Sequence, residues 1–158
     1  MLDPSEFRSV MGHFATGVSV VTARAGQGAP AGMTANAVTS VSLRPLLLLV
    51  CVLRESSSYE PIVQSRAYAV NVLQEDDVEM ARRFAHDPPA RRFDGVEFRS
   101  AKTGSPILER ALAWVDCRVA EVHEAGDHSI IVGEVLDGSS VQGDPLVFFR
   151  GKFGGFTP

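Results

Sequence analysis

Residues 32–53, GMTANAVTSVSLRPLLLLVCVL, decide how the rest of the chain is read. From 32 to 43 the stretch carries no charge, yet small hydroxyl and amide groups recur at Thr34, Asn36, Thr39, Ser40 and Ser42. Side chains alternate between the two faces of a strand, so Thr34, Asn36, Ser40 and Ser42 should share one face, with Val38 between them. Met33, Ala35, Ala37, Val41 and Leu43 should take the other. A polar face turned to water would normally admit Lys or Glu. This one offers only short donors and acceptors, leaving room for a flat, polar-edged object close to the backbone. A flavin ring fits that description, and a buried strand whose hydroxyls bond their own backbone fits it too.

On either side the chain reads as hairpins with helices in the connections. Upstream, Asp3-Pro4-Ser5-Glu6 predicts a helix start, with Asp as N-cap, Pro in the first turn and Glu three residues on. Phe7, Val10, Met11 and Phe14 recur at helical spacing until Thr16-Gly17. Residues 18–23 read as a strand that turns through 25–30 into the decisive stretch. Downstream of Pro45, residues 46–53 form a strand apolar on both faces.

Ser57 and Glu60 have the spacing of a capping box opening a short helix. With Arg54 beside it, that helix start is also a ready anion site. Residues 68–73 predict a strand. Residues 75–83 predict a helix with acids first and bases last, lined on one side by Val78, Ala81 and Phe84. Residues 112–123 and 129–136 predict two strands around the turn 125–128, and Leu146-Val147-Phe148-Phe149 predicts another. About six or seven strands and three helices result, without the regular alternation of a doubly wound sheet. The fold class expected is mainly β: a closed antiparallel barrel with a few peripheral helices, in a single domain over 1–158.

Composition narrows the function. A chain of 158 residues with 45% hydrophobic and 22% charged content and a net charge of −4 reads as a soluble globule. The negative charge argues against nucleic acid or an anionic membrane as main partner. No apolar run reaches membrane-spanning length, and the acidic N-terminus does not read as a signal peptide. Cys51 and Cys117 lie in apolar runs outside any CxxC or Cys/His cluster, which predicts reduced core thiols in the cytoplasm and no metal site. There is no G-x-S-x-G, G-x-G-x-x-G or G-x-x-x-x-G-K-[ST]. His13, His86 and His123 read as incidental, while His128 stands at a tight turn, Gly126-Asp127-His128, before an apolar strand.

In order along the chain, FRSVMGHFATGVSVVT, GMTANAVTSVSLRPLLLLVCV, YAVNVL, ALAWVDCRV, AGDHSIIVGEV and PLVFFRGKFGG resemble the short-chain flavin reductases of the FMN-binding split-barrel family. These are the reductase components of two-component flavin-dependent monooxygenases. The likeness runs from Phe7 to Phe156. The chain departs from the family in having Pro45-Leu46 for Pro-Pro, and Phe153 where Tyr is frequent.

The resemblance implies a homodimeric Greek-key split barrel with flavin beside the subunit interface. It also implies NADH or NADPH as hydride donor to FMN or FAD, and a separate monooxygenase receiving the reduced flavin. By resemblance Met33, Thr34, Ala35, Asn36, Ser40, Val41 and Ser42 line the isoalloxazine ring. Arg54, Ser56 and Ser58 hold the phosphate, His128 and Phe153 border the nicotinamide, and Phe84 and Phe93 close over the ligands. Two rival readings are a non-catalytic flavin- or haem-binding split barrel and a different flavin-dependent oxidase on the same barrel.

Overall fold

The computed structural model describes residues 1–157. The chain opens with helix α1 (Pro4–Met11) and a short strand β1 (Thr16–Gly17). Then come β2 (Ser19–Arg24), β3 (Pro30–Ala35), β4 (Val38–Leu43) and β5 (Leu46–Leu53). Helix α2 (Tyr59–Ser65), strand β6 (Ala67–Val72) and helix α3 (Val78–His86) follow. The short pair β7 (Phe98–Ser100) and β8 (Pro106–Leu108) precedes two long strands, β9 (Ala113–Ala125) and β10 (His128–Ser140). The chain closes on β11 (Val147–Phe149) and β12 (Lys152–Gly154). Among the described residues twelve strands replace the six or seven expected, because the stretch 32–43 is two strands and β1, β7, β8 and β12, of two or three residues each, are too short to leave a period in the sequence.

Seven strands make one antiparallel sheet in the order β3-β2-β6-β9-β10-β5-β4. The β9–β10 hairpin sits between β6 and β5, which separates sequence neighbours and gives the Greek-key arrangement. The two edge strands, β3 and β4, are consecutive in the chain and joined by only Asn36 and Ala37. That covalent step closes the sheet on itself where no ladder does, so the barrel is split at this seam.

Residues 32–43 are therefore two strands with a break between them, and the single-strand reading fails. Met33, Ala35 and Val38 all pack on the same core, so the alternation resets across Asn36-Ala37. It resets again at Val41, where β4 bulges against β5: Ser40 pairs with Leu48 and Ser42 with Leu47.

Both faces of the central strands are buried, which explains why β2 and β6 read as continuous apolar runs. Val21, Val50, Val52, Tyr68, Val70 and Ile131 fill the barrel interior. Val18, Val20, Leu73, Ala81, Phe84 and Leu146 form a second cluster on the outside of the sheet. Asn71 ties the β7–β8 pair across that layer: its Nδ2 donates to the Val20 carbonyl at 3.1 Å, and its Oδ1 accepts from the Leu108 amide at 2.9 Å. At Gly133 a Cβ would lie 2.5 Å from the Tyr68 hydroxyl, so only glycine lets β10 pass the buried tyrosine.

The helix boundaries shift from expectation. α1 has the capping box read at Asp3 and Glu6 but ends at Met11, and 16–17 is a strand rather than its stop. α2 starts one residue later than the Ser57 cap implied, with Ser58 as N-cap and no side-chain cap bond. α3 begins at Val78, three residues inside the expected helix. No helix is long and apolar enough to cross a membrane among the described residues.

Candidate active site at the barrel seam

The seam at Asn36 and Ala37 is where the molecule opens. A cavity of about 730 Å³ lies on one side, lined by Met11, Phe14, Ala35, Asn36 and Cys51 among others. A second of about 940 Å³ lies on the other, with Thr34, Asn36, His86, Phe148, Lys152 and Phe153 in its wall. A third, of about 590 Å³, reaches Asn36 from the side of α1. Asn36 is the one side chain common to all three clefts among the described residues.

The crossing itself is made of small residues, Ala35, Asn36 and Ala37, with larger side chains such as Met11, Phe14, Phe148 and Phe153 in the walls around it. The hydroxyls nearby are partly committed. Thr34 Oγ1 donates to the Ala81 carbonyl at 2.5 Å and fixes β3 on α3. Ser19 Oγ donates to the Ala35 carbonyl at 2.8 Å and anchors the strand just before the crossing. Ser42 Oγ accepts from the Arg44 amide at 3.1 Å. None of the residues 39–43 is buried. As an edge strand, β4 also leaves alternate backbone N–H and C=O groups without a ladder partner on its outer side. Ala35, Asn36, Thr34 and Phe153 are therefore gathered at the clefts, whereas Ser40, Val41 and Ser42 form an open edge beside them.

Met33 points the other way, into the barrel, where its sulfur accepts from Ser56 Oγ at 3.4 Å. That contact joins the seam strand to the segment 54–58. Ser56 Oγ also accepts from the Ser58 amide at 3.2 Å. The Ser58 hydroxyl, in a residue 2% exposed, has no partner among the described residues. It lies beside a small cavity of about 200 Å³ with Gly32, Ser57 and Pro89.

Arg54 is turned toward the β9–β10 hairpin: Nη2 donates to the Gly126 carbonyl at 2.6 Å and Nη1 lies 3.3 Å from Glu124. The cation that meets the serines is Arg92. Its Nη1 donates to the Gly32 carbonyl at 2.8 Å and to Ser57 Oγ at 3.3 Å, and burial lowers its guanidinium pKa. Sequence reasoning passed over Arg92 because it sits in a polar loop 35 residues from its serine partner; only the doublet Arg91-Arg92 marked it.

His128 pairs opposite Leu53 and Ala125 at the start of β10. Its Nδ1 lies 2.7 Å from Asp127 Oδ1, its side chain is 45% exposed, and it lines none of the clefts around Asn36. The imidazole hydrogen bond, with Arg54 nearby, holds the Asp127 carboxyl below the usual carboxylate range. Within one chain His128 and Phe153 are thus not brought together.

Phe84 is 0% exposed and stacks edge-on against Phe93, with ring centroids 4.9 Å apart. A Cβ on Gly32 would come within 2.9 Å of the Phe84 ring. Phe84 and Phe93 are therefore packing under β3 rather than a cover over the clefts. His86, read as incidental, lines the 940 Å³ cleft, and Cys51, read as a core thiol, lines the 730 Å³ cleft. Cys117 is buried as expected.

No hydroxyl or thiol in these clefts is hydrogen-bonded to a histidine among the described residues. No group of three or more His, Cys, Asp or Glu side chains there could hold a metal ion. The arrangement can bind and stack flat ligands; proton transfer by an activated side chain is not among its visible means.

Comparison with known proteins bears on the family. The flavin reductase like domain model matches residues 11–157. A Rhizobium meliloti protein named as a probable flavin reductase is 43% identical across 100% of this chain, which spans 50% of that protein's length. The reductase component of 4-nitrophenol 4-monooxygenase/4-nitrocatechol 2-monooxygenase from Rhodococcus opacus is 42% identical, over 99% of this chain and 83% of its own. Among solved structures, the Streptomyces globisporus NADH:FAD oxidoreductase superposes with a TM-score of 0.91 at 36% identity, covering 100% of this chain and 98% of that one.

Proposed function

The chain belongs to the flavin reductase-like family, and from that premise we propose an NAD(P)H-dependent flavin reductase that supplies reduced FMN or FAD to a separate monooxygenase. The observation that carries the reading is Asn36. It stands at a two-residue crossing between the open edges of the barrel and borders every cleft there.

The residues present fit a flavin. The crossing at the seam is made of small side chains, Ala35, Asn36 and Ala37, the β4 edge offers unpaired backbone donors, and the buried Ser58 hydroxyl lacks a partner among the described residues. Thr34, Ala35 and Asn36 would hold the ring, with Ser40, Val41 and Ser42 along the open edge. Arg54, Ser56 and Ser58 would hold the phosphate, joined by Arg92 through Ser57. Bound there, the flavin supplies N5 as acceptor for the hydride from C4 of the reduced nicotinamide.

The chain's own contribution is then positional. Backbone N–H groups from Asn36 to Ser42 stabilise negative charge at the pyrimidine edge. Phe153, in the wall of the largest cleft, borders the nicotinamide. His128, held by Asp127, orients a ligand by hydrogen bonding and transfers no proton in the hydride step.

The active unit in this reading is a homodimer. Phe7, Val10 and Met11 on α1, Phe14 just after it, and Val41, Leu43 and Leu46 at the β4–β5 hairpin, are all exposed in the single chain. A second copy covering them would wall the seam and bring its own groups to it. The two free cysteines, one buried and one half-buried, fit a reducing cytoplasm.

The test is oxidation of NADH and of NADPH with FMN or FAD added in turn. Nicotinamide oxidation that rises with added free flavin is expected. Flavin binding without turnover of either nucleotide would overturn the reductase reading and leave the non-catalytic binding protein and the different flavin-dependent oxidase.

A further inference from the structure

The Arg54 guanidinium is already engaged, and by a group that competes with any anion it could serve. The residue directly follows β5, where Leu53 pairs with His128, and its amide donates to the Asp127 carbonyl at 3.1 Å. Its side chain makes both of its polar contacts on the β9–β10 hairpin. Nη2 donates to the Gly126 carbonyl at 2.6 Å, and Nη1 lies 3.3 Å from the Glu124 carboxylate. The hairpin thus brings two acids to Arg54, and they are differently committed. Asp127 is hydrogen-bonded to His128 Nδ1 at 2.7 Å. Glu124 has Arg54 as its one ion pair among the described residues.

We infer that Glu124 is a positioning residue that sets flavin affinity, by holding Arg54 on the hairpin in competition with the flavin phosphate. The inference rests on the reductase reading, in which Arg54 meets that phosphate, and adds to it a group that favours release of the product. The two side chains are 40% and 77% exposed, so their pairing is weak. A phosphate carries more negative charge than a carboxylate and offers three acceptor oxygens, so it can displace Glu124 from the guanidinium. Turning Arg54 to the phosphate breaks the pair and leaves the Glu124 carboxylate without its cation. Every phosphate-bearing flavin that binds meets this cost, which favours release of reduced flavin to a second protein over permanent retention. Riboflavin, which has no phosphate, makes no demand on Arg54 and escapes the competition.

The test is Glu124→Gln in the full-length chain, with FMN and riboflavin as probes in fluorescence titrations. Glutamine keeps the length of the side chain and removes its charge, and loss of so exposed a pair should leave the melting temperature nearly unchanged. FMN affinity should rise about 2- to 5-fold, the range of an exposed ion pair, and FMN dissociation should slow by a similar factor in stopped flow. Riboflavin affinity should stay the same. In an Arg54→Ala background Glu124→Gln should no longer change FMN affinity, because the competition runs through the arginine. Equal FMN affinity in parent and Glu124→Gln overturns the inference. So does a parallel gain for riboflavin, a gain for FMN that persists without Arg54, or a parent that binds no FMN at millimolar concentration. A parent that binds FMN but oxidises neither NADH nor NADPH counts against the reductase reading alone, and the titrations still decide the role of Glu124.

Discussion

His128 and Cys117 are the residues whose chemistry the structure constrains most. His128 is hydrogen-bonded to Asp127 at an exposed turn and lines none of the clefts around Asn36. On the proposed reading its part in hydride transfer is positional, so His128→Ala should lower kcat/KM for NADH by about 3- to 10-fold, mostly through KM. Flavin affinity should hardly change. Steady-state kinetics decide it: no change makes His128 an ordinary turn residue, and a loss of about a thousandfold would demand a proton transfer that the hydride step lacks. Cys117 behaves oppositely. Burial, helped by the neighbouring Asp116 charge, pushes its thiol up to about 12. An acid's raised pKa keeps it protonated, so at pH 8 native protein treated with iodoacetamide should carry label on Cys51 and not on Cys117. Mass spectrometry of the digest measures this, and labelling of Cys117 before unfolding would contradict the burial.

At the scale of elements, the β9–β10 hairpin is tied to the segment after β5 by one side chain. Arg54 reaches the Gly126 carbonyl and Glu124, and the Arg54 amide donates to the Asp127 carbonyl at 3.1 Å. Exposed ion pairs contribute only about 0–1 kcal/mol, so Arg54→Ala should leave the melting temperature nearly unchanged. If the same guanidinium meets the flavin phosphate, affinity should fall about 10- to 100-fold, the effect of losing a charge-assisted hydrogen bond. Fluorescence titration with FMN checks it, and unchanged affinity assigns the phosphate to Arg92 and the serines alone. The hairpin also carries a pH dependence. Because the Asp127 pKa is lowered in the fold, its stabilising contact is present above the unfolded value near 3.9 and is lost as pH falls through the folded one. Parent and Asp127→Asn should therefore converge in thermal stability in acid and differ at neutral pH, as melting curves across pH would record.

At the scale of the whole molecule, α1 is an amphipathic helix with no buried residue. Phe14, just beyond its end, is 71% exposed, and Leu43 at the far sheet edge is 82% exposed. Apolar surface of that extent is covered in stable proteins, and a second copy is the simplest cover. Sedimentation should find a dimer at micromolar concentration, and Phe7→Glu/Phe14→Glu should shift it toward monomer and weaken flavin binding together. A parent that sediments as a monomer with flavin tightly bound would contradict the shared site.

The sequence by itself determined the antiparallel hairpins, the Asp3 capping box and the placement of a ligand-sized polar strip around Asn36. These follow from local rules: period-two alternation, cap chemistry and turn residues act within a few positions. It did not determine which way that strip faces. Two resets of the alternation, at Asn36-Ala37 and at the Val41 bulge, depend on how β3 and β4 meet opposite edges of one sheet. Nor could it separate Phe84, buried under β3, from a ring that covers a ligand, or distinguish Arg92 and His86 from solvated loop residues. Those roles were decided by tertiary structure alone, because burial and hydrogen-bond partners across 35 or more residues depend on the closure of the barrel, which no local pattern encodes.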